Sequence, residues 1–130
     1  MIADSTVWID FLNDRRTWQA DRLADGIKHR TAMMVDPVRQ EVLAGLLPTA
    51  SPIRAQALFD ACEDVTQLHR IDAEQAAAIY RVCRGAGDTI RSHADCLIAA
   101  IAIRNDVPVL HRDRDYDVIA RYFPLRVETE

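Results

Sequence analysis

Residues 91–120 read RSHADCLIAAIAIRNDVPVLHRDRDYDVIA. Ser92 opens HADCLIAAIAIR, the most apolar helix of the chain, and Asn105-Asp106 closes it. Val107 to Leu110 follows as a short apolar strand, and Tyr116 to Phe123 as a short helix. Acids mark this helix–strand–helix unit: Asp95 lies in the first turn of the apolar helix, and Asp113 lies three residues beyond the strand. A helix apolar on nearly every side belongs inside a layered structure. An acid just past a strand belongs at the edge where α/β sheets bind ligands.

The residues before and after this unit alternate in the same way. Met1 to Ala3 reads as a strand running straight into a helix, Ser5 to Asn13, with the stripe Val7, Trp8, Phe11 and Leu12. Asn13 to Arg16 is a turn and Thr17 to Lys28 a second helix; Thr31 to Val35 is a buried strand. Asp36-Pro37 starts a helix to about Leu47, with Asp as N-cap and Pro at the first helical position. After a loop, Pro52 to Val65 reads as helix, and Asp72 begins another that stops near Gly85-Ala86-Gly87. Leu125 to Val127 reads as a last strand. Short apolar strands alternating with helices predict an α/β fold with a mostly parallel sheet covered on both faces.

The chain has 130 residues and 14.7 kDa, the size of a single domain spanning 1–130. An apolar share of 49% with 28% charged residues suits a globular chain. No apolar run approaches the ~20 residues needed to span a bilayer. The start meets Asp4 with no basic region before it, unlike a signal peptide. Cys62, Cys83 and Cys96 are odd in number, lack CxxC spacing and fall on helical core spacings, which predicts buried reduced thiols in a cytoplasmic protein. The net charge of -4 argues against bulk electrostatic binding of nucleic acid, though not against an acidic pocket that handles one phosphate through a metal. Every basic residue except Lys28 is Arg, which suits bidentate phosphate contacts and equally suits a genome-wide composition bias.

The carboxylates carry the functional signal. Asp4 and Asp113 follow strands, where an Asp also serves as a plain N-cap. Asp95 is followed at three, four and seven residues by Ile98, Ala99 and Ala102; Glu41 is preceded by Val38 and followed by Ala44 and Gly45. Both therefore sit on apolar helix faces, where an unpaired carboxylate is costly. For Asp95 a dipole role beside a Ser92 cap is the bland alternative; Glu41 lies past the first turn, where that reading is weaker. Four carboxylates meeting at one sheet edge cannot all stay ionised without a counter-cation. Oxygen-only ligands select Mg²⁺ or Mn²⁺ over zinc, and such a cluster equips metal-assisted phosphodiester hydrolysis. His93, Cys96 and His111 match no familiar zinc spacing.

ADSTVWIDFL with Asp4, PVRQEVLAG with Glu41, RSHADCLIAAIA with Asp95 and HRDRDYDVIA with Asp113 follow one another between Met1 and Val127. They resemble the four blocks of PIN-domain ribonucleases, and most closely those of VapC toxins of type II toxin–antitoxin systems. The resemblance implies a three-layer α/β/α sandwich around a mostly parallel sheet. It implies an endoribonuclease toxin using Mg²⁺, or Mn²⁺, on tRNA or rRNA, working as a homodimer and neutralised by a cognate VapB-type antitoxin. It implies Asp4, Glu41, Asp95 and Asp113 as catalytic acids, with Asp4, Asp95 and Asp113 on the metal. Thr6 resembles the hydroxyl residue that supports the first acid, although the block reads Asp-Ser-Thr where Asp-Thr-Ser is commoner. Asp115 is a second candidate in the last block, whereas Asp117 suits a helix dipole. Arg91, Arg112 and Arg114 flank the acidic blocks as candidate RNA-phosphate contacts, with solvated surface arginines as the alternative. Trp18 is a candidate base platform; Trp8, on the apolar stripe, reads as core.

Two other strand-end aspartate chemistries fit poorly. A haloacid-dehalogenase-type enzyme needs DxDxT, and residues 4–8 read DSTVW. A receiver domain needs a strand-end Lys, and Lys28 falls in a helix. The rival of a different class is a non-catalytic PIN-fold binding module acting through a partner protein; the presence of all four acids argues against it.

Overall fold

The computed structural model describes residues 1–130. Its centre is a fully parallel sheet of four two-residue strands: β1 (Ile2–Ala3), β2 (Met33–Met34), β3 (Glu63–Asp64) and β4 (Val109–Leu110), in the order β3-β2-β1-β4. Ile2 pairs with Met33 on one side and Val109 on the other, so the first strand of the chain is central. Seven helices cover the sheet: α1 (Ser5–Leu12), α2 (Trp18–Lys28), α3 (Asp36–Ala44), α4 (Pro52–Asp60), α5 (His69–Gly85), α6 (His93–Arg104) and α7 (Arg114–Tyr122). The result is the expected three-layer α/β/α sandwich. α1 packs against α2 and α3, while α5, α6 and α7 pack on one another.

The core follows from the apolar runs. Ile2, Met34, Val109 and Leu110 of the strands are fully buried, as are Trp8, Ile98, Ala99 and Tyr116 from the helices. Trp8 meets Phe59 edge-on at 5.1 Å between ring centroids, which joins α1 to α4. α6 is buried from Cys96 and from Ile98 through Ala102, in line with its all-round apolar sequence. It ends where expected: Asn105 caps it and Asp106 takes φ 52, a left-handed residue that cannot continue a helix.

Several expected boundaries differ. α4 stops at Asp60, and the predicted helix of Pro52 to Val65 contains β3 instead. Both β3 residues are exposed acids that carry no apolar signal; the strand is held by its backbone pairing with β2, continued by the Val65 N–H donating to Met34 O at 2.9 Å. α3 ends at Ala44 rather than Leu47 because Gly45 caps it. Val35, not Asp36, is its N-cap, and Asp36 is its first helical residue. α5 starts at His69, one turn before Asp72. Asp72 does not start that helix: its Oδ2 accepts the Leu68 N–H at 2.8 Å, and Arg104 of α6 clasps both its oxygens at 2.6 and 2.8 Å. α7 begins at Arg114 rather than Tyr116. The expected strand Leu125 to Val127 is a single parallel bridge from Val127 to Val109. Cys83 and Cys96 are buried, while Cys62 is only half-buried.

Candidate active site at the carboxyl edge

β1 and β4 end side by side, and the chain leaves each through an acid. Asp4 caps α1 and Asp113 caps α7, so both have the plain capping role as well as a place at the sheet edge. The Thr6 hydroxyl donates to Asp4 Oδ2 at 2.7 Å, which puts Thr6 in the supporting position expected for it. α6 brings Asp95 in at its first turn, with Ser92 Oγ accepting the Asp95 N–H at 3.4 Å. Asp95, Asp113 and Asp115 each offer a carboxylate oxygen, and these three atoms lie within 4.8 Å of one another. Asp4 joins through Tyr116, whose hydroxyl lies 3.0 Å from Asp4 Oδ1 and 3.3 Å from Asp95 Oδ1. Glu41 approaches from α3, half-buried, and its charge is felt at both Asp95 and Tyr116.

All four expected acids thus gather, and two residues gain a larger part. Asp115, the lesser candidate of its block, is completely buried and sits in the tight trio, whereas the Asp113 side chain is 27% exposed. The Asp115 carboxylate is held by the Arg91 N–H, which donates to its Oδ2 at 2.9 Å. The sequence places Tyr116 only at the start of a short helix. The available signal was chemical: a Tyr on a buried face needs a partner for its hydroxyl, and acids stood one and three residues before it.

The electrostatics follow from burial and crowding. Burial first, then the charges of Asp4, Asp113, Asp115 and Glu41, push the Asp95 carboxyl up to about 7. Burial and the adjoining carboxylates of Asp4 and Asp95 raise Tyr116 well above the ordinary phenol range, so it stays a proton donor. Asp95 Oδ2, Asp115 Oδ1 and Glu41 Oε2 are buried without a hydrogen-bond partner. Orphaned buried carboxylate oxygens are expensive, and an oxygen-seeking divalent cation is the group that would satisfy them. The donor set therefore fits Mg²⁺ or Mn²⁺. It does not fit zinc: Cys96 is a buried thiol pushed up to about 12, and His93 stacks on Tyr80 at 4.7 Å.

The three arginines are placed differently. Arg91 meets the acids directly, 2.9 Å from Asp113 Oδ1 and 3.5 Å from Asp115 Oδ1. Arg114 is two-thirds exposed and only grazes Asp115, at 3.9 Å. Arg112 is engaged elsewhere, ion-paired to the buried Asp10 of α1. Asp117 is exposed and lies 3.4 Å from His111 Nε2, away from the trio. A cleft of about 500 Å³ beside Asp113 is lined by Trp18, Arg112 and Arg114, and one of about 440 Å³ opens beside Glu41.

Tyr116→Phe is an informative change. It removes one hydroxyl and leaves Asp4 and Asp95 without their shared donor. Hydrogen bonds to charged groups are worth about 1.5–3 kcal/mol, so a loss of that order is expected for the metal-free protein. Urea denaturation in EDTA measures it; an unchanged midpoint would show that the hydroxyl does not support the acids.

The parallel sheet and the acids gathered beyond its central strands agree with the resemblance to PIN domains. The sequence model described as "PIN domain" matches residues 1–122, and the chain belongs to that family. Its place within the family is the VapC branch. It is 34% identical over 123 residues to VapC ribonuclease Mb1587 of Mycobacterium bovis and to ribonuclease VapC11 of Mycobacterium tuberculosis, covering 93% of this chain and 92% of each relative. Two crystal structures share the fold at 16% identity, covering 98% of this chain and 96% of theirs. They are FitAcB from Neisseria gonorrhoeae, TM-score 0.68, and VapBC2 from Rickettsia felis bound to a DNA fragment from their promoter, TM-score 0.67.

Proposed function

We propose that this chain is a divalent-metal-dependent endoribonuclease, a single PIN domain over 1–130 that acts as the toxin of a type II toxin–antitoxin pair. The observation that carries the reading is the cluster of Asp95, Asp113 and Asp115 oxygens within 4.8 Å of one another at the carboxyl edge of the sheet, with Asp95 Oδ2 and Glu41 Oε2 buried and without hydrogen-bond partners. Relatives named as VapC ribonucleases support RNA as the substrate; tRNA or rRNA is the class of RNA that the resemblance to VapC toxins implies. The VapBC2 structure supports a VapB-type antitoxin as partner. A homodimer in the cytoplasm completes the proposal; no helix is long and apolar enough to cross a membrane.

In this reading Asp4, Asp95 and Asp113 would hold Mg²⁺ or Mn²⁺ together with Asp115, whose carboxylate lies in the same cluster. When bound there, such an ion would supply Lewis-acid charge and lower the pKa of water. Thr6 and Tyr116 orient Asp4, and the Arg91 N–H orients Asp115. Glu41, whose Oε2 is buried and without a donor, would serve as the base that takes a proton from the attacking water. Arg91 and Arg114, both two-thirds exposed, stand on the rim to meet RNA phosphates. Arg112 contributes there only to the extent that Asp10 releases it.

The test incubates the purified chain with total RNA in EDTA, Mg²⁺ or Mn²⁺, and maps the new 5′ ends. Discrete cleavage with metal and none in EDTA is expected. Equal cleavage in EDTA would refute metal dependence. No cleavage with either ion would favour the non-catalytic binding module.

A further inference from the structure

Arg91 makes three contacts with the acids, and they are of two kinds. Its backbone N–H donates to buried Asp115 Oδ2 at 2.9 Å. Its guanidinium reaches across Asp113 Oδ1 at 2.9 Å and Asp115 Oδ1 at 3.5 Å. The backbone is pinned on both sides, by fully buried Ile90 and by Ser92, which caps α6. The side chain is not pinned: it is 65% exposed, at the end of a long flexible stem. The fixed contact therefore positions Asp115, while the guanidinium is free to exchange.

We infer that Arg91 is a built-in counter-cation, holding Asp113 and Asp115 until a divalent ion displaces its guanidinium. The inference rests on the metal-binding reading of the acids. A guanidinium and a divalent ion compete for the same carboxylate charge, and both cannot fully satisfy Asp113 Oδ1 and Asp115 Oδ1. Of the other arginines, Arg112 is taken by Asp10, and Arg114 stands no closer than 3.9 Å. Arg91 is thus the cation that offsets the crowded acids in the metal-free protein. Once displaced it remains tethered at the rim, one side chain's length from the site, where a phosphate is its natural next partner. Arg91 is a positioning residue that lowers metal affinity and keeps the empty site folded.

The experiment compares wild type, Arg91→Gln, Arg91→Lys and Asp95→Asn by Mn²⁺ binding, read by electron paramagnetic resonance, and by thermal midpoint in EDTA and in saturating Mn²⁺. Arg91→Gln is expected to bind Mn²⁺ roughly fivefold more tightly, the upper end for an exposed ion pair. Its midpoint should fall in EDTA and return to that of wild type in saturating Mn²⁺. Arg91→Lys, which keeps the charge and loses the fork, should lie between. Unchanged or weaker Mn²⁺ binding by Arg91→Gln overturns the inference, as does an equal drop in midpoint with and without Mn²⁺, the sign of a structural role only. Asp95→Asn separates the two readings. If it loses Mn²⁺ while Arg91→Gln binds as wild type does, the metal site stands and the counter-cation role falls. If wild type itself binds no Mn²⁺, both fall.

Discussion

Asp95→Asn is expected to abolish RNA cleavage and, at the same time, to stabilise the metal-free protein. Asp95 is 5% exposed, and its carboxyl titrates at about 7 against an ordinary 3.8. The folded protein therefore holds this proton more tightly than the unfolded chain does, so ionising Asp95 costs stability. The cost is absent below pH 3.8, grows as pH rises toward 7, and is complete above it. A shift of this size corresponds to a few kcal/mol, on the order of 4 at most. Asn keeps the shape without the charge, but its amide also needs partners, so a net gain of about 1–3 kcal/mol at alkaline pH is expected. At mildly acid pH the gain should shrink toward zero. Cleavage should fall more than about a hundredfold, because charge stabilisation by a metal is worth several kcal/mol in the transition state. Urea titrations in EDTA at two pH values, with one cleavage assay, test both halves. Wild-type cleavage by the variant would remove Asp95 from the site; lower stability at alkaline pH would contradict the crowding account.

The second large effect lies away from the acids. Arg104→Ala is expected to destabilise the protein by about 3 kcal/mol, or roughly 10 °C in thermal midpoint. Arg104 grips Asp72 through two bonds, and its terminal nitrogen also donates to Thr66 O at 2.6 Å. The pair fastens the end of α6 to the start of α5. Asp72 is 1% exposed, so truncating the arginine leaves a buried charge without its cation. The hydrogen bond from Arg104 is the main cause holding the Asp72 carboxyl below its usual value. Its stabilisation is therefore full above pH 3.8 and is lost as pH falls through the lowered value. Adding Asp72→Asn to Arg104→Ala should recover part of the loss, since it removes the stranded charge. Failure of the double variant to improve on the single one would place the cost in lost packing instead.

Much of this architecture could be read before folding, and the failures share one cause. Apolar runs marked β1, β2, β4 and α6 because burial selected their side chains directly. β3 left no such mark: Glu63 and Asp64 are exposed at a sheet edge, where charge discourages pairing with another chain. Asp4, Glu41, Asp95 and Asp113 were legible as acids placed against apolar patterns. Asp72, read only as a helix start, and Asp10, not singled out, are buried acids too, and each is answered by an arginine distant in sequence. Spacing along one helix cannot reveal such a partner. The same limit applies to Tyr116 and to Arg91, whose roles depend on what another segment brings alongside.

The central position of β1 has a consequence for synthesis. Ile2 and Ala3 are made long before their partners Val109 and Leu110. The acids Asp113 and Asp115 are made later still. At ~5–20 residues per second, Asp4 waits several seconds or more for the neighbours that make it a site. A nascent chain interrupted before β4 has neither the pairing that closes the sheet nor the carboxylate trio. Asp4 therefore becomes part of a site only after the helix that carries Asp115 and Tyr116 has been made.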